Sequence, residues 1–409
     1  MLNRIWAGFI LLAFAAACVQ GFALGQHDVF AAMTRAMFDA AKLGFEVALG
    51  LTGVMTLWLG IMKIGEAAGL IAALARLLGP LFSRLFPGVP AGHPALGAMT
   101  MNIAANMLGL DNAATPLGLK AMKELQTLNP SPDTATDAQV LFLVINTAAV
   151  TLFPVTIFAY RAQLGAADPT DIFVPLLIAS FTATIAGVLL VGIRQRLRLY
   201  DPVVLAYLGG LSALIVGVAA WFLHLAPIER AAQSSLVSNF LLLAIVVIFI
   251  ATALVRRVDV YESFIDGAKE GFKVAIGIIP YLVAMLLAIA LLRASGALEL
   301  LLSGLRHLVG MLGYDSRWVD GLPVGIMKSL SGSGARALMI DTMKTAGADS
   351  FAGRLVSILQ GSSETTFYVL AVYFGSVGIT KTRNAVSCGL FADAIGFAAS
   401  VWVAYLFFA

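Results

Sequence analysis

Long runs of apolar residues, separated by short polar turns, are the dominant pattern along the chain. A hydrocarbon core about 30 Å thick is crossed by about 20 helical residues, because each residue of an α-helix advances about 1.5 Å. The pattern therefore predicts about nine membrane-spanning helices. They are residues 5–24, 47–64, 140–160, 172–193, 203–222, 236–255, 274–292, 355–375 and 385–406.

Two further stretches, residues 93–125 and 322–343, are apolar but are interrupted by Gly, Pro, Ser and Asn. Irregular backbone is tolerated at membrane depth only where protein or a wet cavity satisfies its polar groups. We therefore predict two re-entrant hairpins, which enter the membrane and return to the side from which they came. The predicted fold class is an all-α polytopic membrane protein.

An internal repeat relates the two halves of the chain. Residues 41–50 return as residues 268–277, which is 227 residues later, with seven of ten positions identical. The correspondence continues with a slip of a few residues, so that Met122 aligns with Met343. Such an ordered series of matches indicates two related structural repeats.

Basic residues near the ends of spans favour the cytoplasmic side of the membrane. The clusters at residues 194–198, 256–257 and 381–383 are therefore predicted to lie inside, and counting the crossings places the amino terminus inside as well. In this topology span 47–64 and its match, span 274–292, run in opposite directions, so the repeats are inverted. The predicted domains are a first repeat at residues 1–200, an extra linking transmembrane helix at 201–235 and the second repeat at 236–409.

Composition agrees with a membrane environment, since 60% of the residues are hydrophobic and 12% are charged. A soluble domain has about 25% charged residues. The net charge is +3 and no basic face is evident, so nucleic acid is not an expected partner. Cys18 and Cys388 lie in apolar runs, which argues against a disulfide framework. A signal peptide ending at a lipidated Cys18 stays an alternative to the favoured uncleaved first span.

Transporters built from inverted repeats bind their solutes near the membrane midplane, where the repeats meet. Polar residues are costly at that depth, so they are the first candidates for function. Their amide and hydroxyl groups both donate and accept hydrogen bonds. The predicted substrate-binding residues, placed between the two hairpins, are Asn102, Asn106, Asn112, Thr115, Asn146, Thr147, Thr151, Ser331, Ser333, Gln360, Ser362, Ser363, Glu364 and Thr365.

Glu364 is the sharpest single candidate, because an ionisable group within a span is by default a functional hypothesis. Glu364 and Asp111 are predicted to carry a coupling ion, either Na⁺ or H⁺. The alternative for Glu364 is a structural ion pair with Lys328 or Arg336. The alternative for the uncharged polar residues is that they join neighbouring helices, as such residues commonly do in membranes.

Asp341 and Asp393 are weaker candidates, since Asp341 could begin a helix after the second hairpin and Asp393 could pair with Arg383 or lie inside a helix bundle. Enzymatic chemistry is not predicted. The sequence shows no nucleophile with a neighbouring base, and the four histidines lack metal-ligand spacing. The protein is expected not to be an enzyme and to require neither a cofactor nor a bound metal.

Several motifs resemble a known family. Residues 93–99, 102–110 and 112–118 resemble the spore maturation protein A family, and residues 331–334 and 360–370 resemble spore maturation protein B. The chain thus resembles a fusion of two proteins that are often separate, each with a nucleoside-recognition or gate domain. The resemblance implies transport of a nucleoside-like or other small polar solute across a bacterial cytoplasmic (inner) membrane.

The sequence-based hypothesis is a secondary active transporter in which one repeat moves against the other. One alternative is a channel or lipid-carrier translocase, with the same hairpins but a groove open sideways to lipid. Another is a membrane structural or assembly protein whose polar patches bind a partner. The expected partners are a small-molecule solute and the lipid bilayer, and a homo-oligomer is compatible with the pattern.

Overall fold

The computed structural model describes residues 2–409, apart from the side chains of Leu2, Asn3, Asp111, Asn112, Pro227, Ile228 and Ala231. The described residues form helices and the loops that connect them, with no strand beyond one isolated bridge between Thr134 and Lys381. This confirms the predicted all-α class. The first helices are α1 (Leu2–Cys18), α2 (Val29–Ala67), α3 (Leu70–Leu85), α4 (Pro94–Met107), α5 (Asp111–Gln126), α6 (Asp137–Thr147), α7 (Val155–Gln163), α8 (Phe173–Arg194) and α9 (Pro202–His224). They are followed by α10 (Pro227–Val255), α11 (Val260–Gly277), α12 (Ile279–Ala294), α13 (Ala297–Met311), α14 (Leu322–Leu330), α15 (Gly332–Ala346), α16 (Phe351–Gly361), α17 (Thr366–Gly375) and α18 (Ala385–Phe408).

Seven helical segments within residues 2–409 are long and apolar enough to cross a bilayer, and each coincides with a predicted span. The segment in α2 begins earlier than predicted, because residues 29–46 continue the helix in a more polar sequence. The polytopic class is thereby confirmed. The seven segments are Arg4–Ala23, Val29–Ala67, Phe173–Arg194, Pro202–His224, Ala232–Val255, Val260–Ala294 and Ala385–Phe408.

The other two predicted spans, residues 140–160 and 355–375, differ from expectation because neither is a continuous helix. The first consists of α6 and α7 with non-helical backbone at residues 148–154, and the second consists of α16 and α17 with a break at residues 362–365. Pro154 contributes to the first break, since proline disfavours helical backbone at the residue before it. Gly361 and two serines stand at the second break, where weak helix formers allow the backbone to unwind.

The chain divides into two compact units, and each takes segments from both halves of the sequence. Unit 1 comprises Met1–Trp58, Thr156–Pro169 and Ala268–Gln360, and unit 2 comprises Leu59–Val155, Thr170–Gly267 and Gly361–Ala409. The predicted division at residues 200 and 235, and the inverted orientation of the repeats, stay predictions.

Within unit 2, α4 and α5 form a helical hairpin of 14 and 16 residues. At about 1.5 Å per residue, neither arm is long enough to cross a 30 Å core. The open end of the hairpin is marked by His93 and Thr127, whose Nε2 and Oγ1 atoms lie 3.5 Å apart. Its tip, at residues 108–110, reaches the break between α6 and α7. This geometry is compatible with the predicted re-entrant segment.

Small residues let the long helices of unit 2 pack closely. A Cβ atom added to Gly187 of α8 would lie 3.2 Å from Ala392 of α18, and one added to Gly396 of α18 would lie 3.1 Å from Ala183 of α8. Close approach of small residues is a principal source of helix association in membranes. Helices α8 and α18 therefore pack closely against each other, and they lie beside α6 and α17.

Two of the three basic turns that were predicted to lie inside, residues 194–198 and 381–383, lie at one end of unit 2. Arg383 pairs with Asp137 at 2.7 Å, and the Nε2 of Gln195 donates to the Asp137 carbonyl at 2.8 Å. In the same cluster Lys381 lies 2.7 Å from the Asp133 carboxylate. The hydrogen bond from Lys381 holds the pKa of Asp133 below its ordinary value.

Unit 1 packs α1 against α12 and contains the second hairpin, α14 and α15. The Trp6 indole donates to the Ala284 carbonyl at 2.8 Å, and the Gln20 amide donates to the Ser295 carbonyl at 2.9 Å. These bonds hold α1, and the π-helical turn Val19–Ala23 that follows it, along α12. At the hairpin turn, Ser331 caps α15 by accepting a hydrogen bond from the Gly334 amide at 3.1 Å.

Candidate functional site

The breaks in the two interrupted spans, residues 148–154 and 362–365, meet inside unit 2. The backbone amide of Glu364, in the second break, donates a hydrogen bond to the carbonyl of Thr147, the last residue of α6, at 2.8 Å. Helix breaks leave backbone donors and acceptors without their helical partners. Here one such donor is satisfied by the other broken helix, so residues 148–154 and 362–365 form one continuous region of irregular backbone.

The tip of the first hairpin joins the same region. The Leu152 amide donates to the Met107 carbonyl at 2.8 Å. Gly109 at the tip adopts a left-handed conformation, with φ of +70°, and a Cβ atom at this position would lie 2.8 Å from the Phe153 carbonyl oxygen. A side chain is disfavoured here both by the backbone conformation and by the approach of Phe153.

We expect Gly109→Ala to destabilise the hairpin tip, because the methyl group must displace the Phe153 carbonyl and the left-handed backbone costs about 1–2 kcal/mol for an L-residue. The matched control is Gly97→Ala in α4, where an added Cβ meets no atom within 4 Å and the backbone is helical. Thermal unfolding of the purified protein should show a lower midpoint for the first variant only. Equal midpoints would mean that the tip is not constrained as described.

Two asparagines connect the hairpin to α6. The Asn106 amide donates to the Asn146 side-chain oxygen at 2.9 Å, and the Asn146 amide donates to the Phe142 carbonyl at 2.9 Å. Asn146 is buried, whereas Asn106 is partly exposed. The buried Asn146 thus orients the partly exposed Asn106, whose remaining polar atoms can meet a solute.

Asn102 lies deeper in the hairpin and is fully buried. Its amide donates to the Ala114 carbonyl across the hairpin at 2.8 Å and lies 3.4 Å from the Tyr373 hydroxyl on α17. Its side-chain oxygen has no hydrogen-bond partner among the described residues. A buried acceptor without a donor lowers the stability of the folded state by about 1–3 kcal/mol. Such acceptors are rare in folded proteins, so the unpaired Asn102 oxygen is a candidate for function.

Glu364 is the exposed residue of an otherwise buried stretch. Its neighbours Ser362, Ser363, Thr365 and Thr366 are each less than 9% exposed. Within unit 2, as far as its residues are described, the Glu364 carboxylate forms neither an ion pair nor a hydrogen bond. A carboxylate presented in this way, beside the amino-terminal end of α17, is available to a cation or to a donor group of a solute.

A second carboxylate stands at the same place. Thr366, the first residue of α17, donates from its hydroxyl to the Asp393 carboxylate of α18 at 2.7 Å. Gly389 permits this approach, since a Cβ there would lie 2.8 Å from the Thr366 methyl group. Asp393 thereby connects the second break to the closely packed helices α8 and α18. Arg383, which the sequence suggested as a partner of Asp393, forms an ion pair with Asp137.

The remaining predicted site residues have different positions. Thr115 is exposed on α5, and Thr151 is partly buried in the first break. The side chains of Asp111 and Asn112 lie outside the described residues. Ser331, Ser333 and Gln360 belong to unit 1, where the hydroxyls of Ser331 and Ser333 lie 3.2 Å apart. Their participation in a shared site stays a prediction.

Unit 2 therefore brings together a cluster of polar residues that we call the junction site. Tyr373 and Asp393 were not among the predicted members. No local pattern marks Tyr373, because its partner Asn102 is 271 residues away in sequence. The sequence does mark Asp393, since an acidic residue within an apolar span is itself a functional indication. The junction site consists of Asn102, Asn106, Asn146, Thr147, Ser362, Ser363, Glu364, Thr365, Thr366, Tyr373 and Asp393.

The fold and this site define a helical, multi-pass membrane protein with a polar region where broken helices meet. The chain belongs to the nucleoside recognition gate family, whose model matches residues 48–164 and 275–380. These segments begin 227 residues apart, which is the spacing of the internal repeat. Except for Asp393, the residues of the junction site lie within the two matched segments.

Two curated relatives each match a large part of the chain. Spore maturation protein A of Bacillus subtilis (strain 168) is 37% identical over 190 residues, covering 46% of this chain and 93% of that protein. Spore maturation protein B of the same organism is 44% identical over 174 residues, covering 42% of this chain and 96% of that protein. The resemblance expected from the sequence motifs is therefore confirmed.

Proposed function

We propose that the protein is a secondary active transporter of a small polar solute of the nucleoside class, and that the junction site binds this solute. The description of the family as nucleoside recognition supports the solute class. Sugar hydroxyls and base amides offer both donors and acceptors, which asparagine, serine and threonine side chains can match. In this proposal the protein performs no covalent chemistry and resides in the bacterial inner membrane.

The observation that carries the proposal is the meeting of the two helix breaks through the Glu364 amide and the Thr147 carbonyl. Broken helices with irregular backbone at the membrane midplane are typical of solute sites in secondary transporters. Such backbone is stable in a membrane where it lines a polar cavity. Glu364 and Asn106 would face that cavity.

Coupling requires a group whose occupancy changes the affinity for the solute. Glu364 suits this role, because its carboxylate can take up Na⁺ or H⁺ without breaking an existing ion pair in unit 2. A bound cation would neutralise the carboxylate and allow the solute to approach. Release of the cation on the opposite side would then weaken solute binding and complete the cycle.

A lipid-carrier translocase is the second candidate, and an apolar cavity of about 100 Å³ in unit 2 favours it. This cavity is bordered by Asn106 and Thr184, while its other lining residues are apolar. Ile103, Ala149 and Phe181 are among them. A substrate with a polar head and an apolar tail could thus place its tail beside the junction site.

Uptake by proteoliposomes tests these candidates. We expect a panel of radiolabelled nucleosides to include one that accumulates when an inward Na⁺ or H⁺ gradient is imposed, and that does not accumulate when the gradient is collapsed. Protein-free vesicles are the control. Absence of accumulation across the panel, together with movement of a fluorescent lipid between leaflets, would support the translocase instead.

A further inference from the structure

Unit 1 contains a pocket of about 450 Å³ that has no part in the junction site. It is formed by α2, α12 and α15. Its floor is apolar, with Ala36, Ala40, Leu43, Leu286 and Ala290. Four charged side chains also line it, and these are Asp39, Arg293, Asp341 and Lys344.

The charges of this pocket balance, since two are acidic and two are basic. Arg293 and Asp341 form a salt bridge, in which the Arg293 Nε lies 3.0 Å from the Asp341 Oδ2 and the Nη2 bonds the same oxygen. Asp39 and Lys344 form no ion pair with any residue of unit 1 that the structure describes. The pocket thus offers one cation, Lys344, and one anion, Asp39, that no described residue of unit 1 neutralises.

The position of the pocket points to the membrane surface. Arg293 stands in the last turn of α12, at the end of the apolar segment Val260–Ala294. Asp39 precedes the strongly apolar part of α2, whose 39 residues extend about 58 Å and thus exceed the hydrocarbon core. Charged residues at the ends of spans commonly lie at the level of lipid headgroups.

We propose that this pocket binds the headgroup of a zwitterionic phospholipid with a primary ammonium, such as phosphatidylethanolamine. The phosphate would contact Arg293 and Lys344, and the ammonium would donate to Asp39 and Asp341. The apolar floor would take the glycerol and the first methylenes of the chains. An anionic headgroup matches the balanced charges less well, because it brings no cation to Asp39, which forms no ion pair with the described residues of unit 1.

Primary ammonium donors distinguish this lipid from phosphatidylcholine, whose quaternary ammonium has no N–H group to donate. Charge-assisted hydrogen bonds are about twice as strong as neutral ones. Loss of one such contact is expected to weaken lipid retention about tenfold. Phosphatidylcholine and phosphatidylglycerol therefore serve as matched competitors. The first tests whether N–H donor groups are needed, and the second tests whether a zwitterionic headgroup is preferred to an anionic one.

Native mass spectrometry of the full chain, released from vesicles with equal amounts of the three lipids, tests the proposal. We expect the wild-type protein to retain phosphatidylethanolamine preferentially and Arg293→Gln to retain about tenfold less. Arg306→Gln is the control, because Arg306 also forms salt bridges in unit 1 and its side chain is 34% exposed, against 35% for Arg293. This variant should retain the lipid normally.

A second variant guards against misfolding of Arg293→Gln. Asp39→Asn combined with Lys344→Gln keeps the Arg293 salt bridge intact and should also lose the preference. Equal retention of the three lipids by the wild type, or an unchanged preference in both variants, would overturn the proposal. Displacement of the lipid by phosphoethanolamine alone at similar concentration would overturn it as well, since the pocket would then recognise a soluble zwitterion. None of these measurements depends on transport.

Discussion

Glu364→Gln is expected to abolish gradient-driven accumulation of the solute, so that its ratio across the proteoliposome membrane falls to about one, the value reached without coupling. Glutamine preserves the size of the side chain and the backbone bond from residue 364 to Thr147. It removes the negative charge that would attract Na⁺ or accept H⁺. Binding and passive exchange of the solute should persist with altered affinity.

The matched control for this variant is Glu124→Gln, which removes an acidic group from α5 of the same unit, near the open end of the first hairpin. It should accumulate solute as the wild type does. Normal accumulation by Glu364→Gln would exclude Glu364 from coupling. Loss of accumulation and of passive exchange together would assign Glu364 to solute binding instead.

The membrane class of the fold could be predicted from the sequence, because the apolar composition and the length of the apolar runs determine whether a chain resides in a bilayer. Seven of the predicted crossings coincide with helical segments that are long and apolar enough to span a bilayer, as the apolar runs require. The two breaks were harder to predict from the sequence. A short apolar helix such as Asp137–Thr147 and the apolar segment after it look like one span when about 20 residues are read together. The polar stretch from Gln360 to Thr366 nevertheless indicated where one break lies.

The interleaving of the chain could not be predicted, since it depends on contacts between residues far apart in sequence. Asn102 contacts Tyr373, and Thr147 contacts Glu364, because unit 2 contains segments from both halves of the sequence. The internal repeat did predict that the two interrupted segments are equivalent. It did not predict that the second break would join the first hairpin in unit 2, while Ser331 belongs to unit 1.

Arg161 in α7 is the clearest example of a structural residue that the sequence left unnoticed. Its guanidinium is completely buried in unit 1, where it donates to the Ala348 carbonyl at 2.8 Å, the Pro169 carbonyl at 3.2 Å and the Asp168 carbonyl at 3.3 Å. It also lies 3.1 Å from the Asp349 carboxylate. One side chain thus holds together the loops that follow α7 and α15.

Arg161→Met is therefore expected to destabilise unit 1 by about 3 kcal/mol, because it removes the charged donor of three loop carbonyls and leaves the Asp349 carboxylate with the longer ion pair to Arg354, at 3.8 Å. Methionine retains much of the apolar length of arginine, so the loss reports the guanidinium rather than a cavity. The control is Arg84→Met, whose exposed ion pair with Asp201, at 3.6 Å, should contribute only about 0–1 kcal/mol. Thermal unfolding of both variants in the same detergent should separate them clearly. A midpoint for Arg161→Met equal to that of Arg84→Met would show that the two loops are held by other contacts.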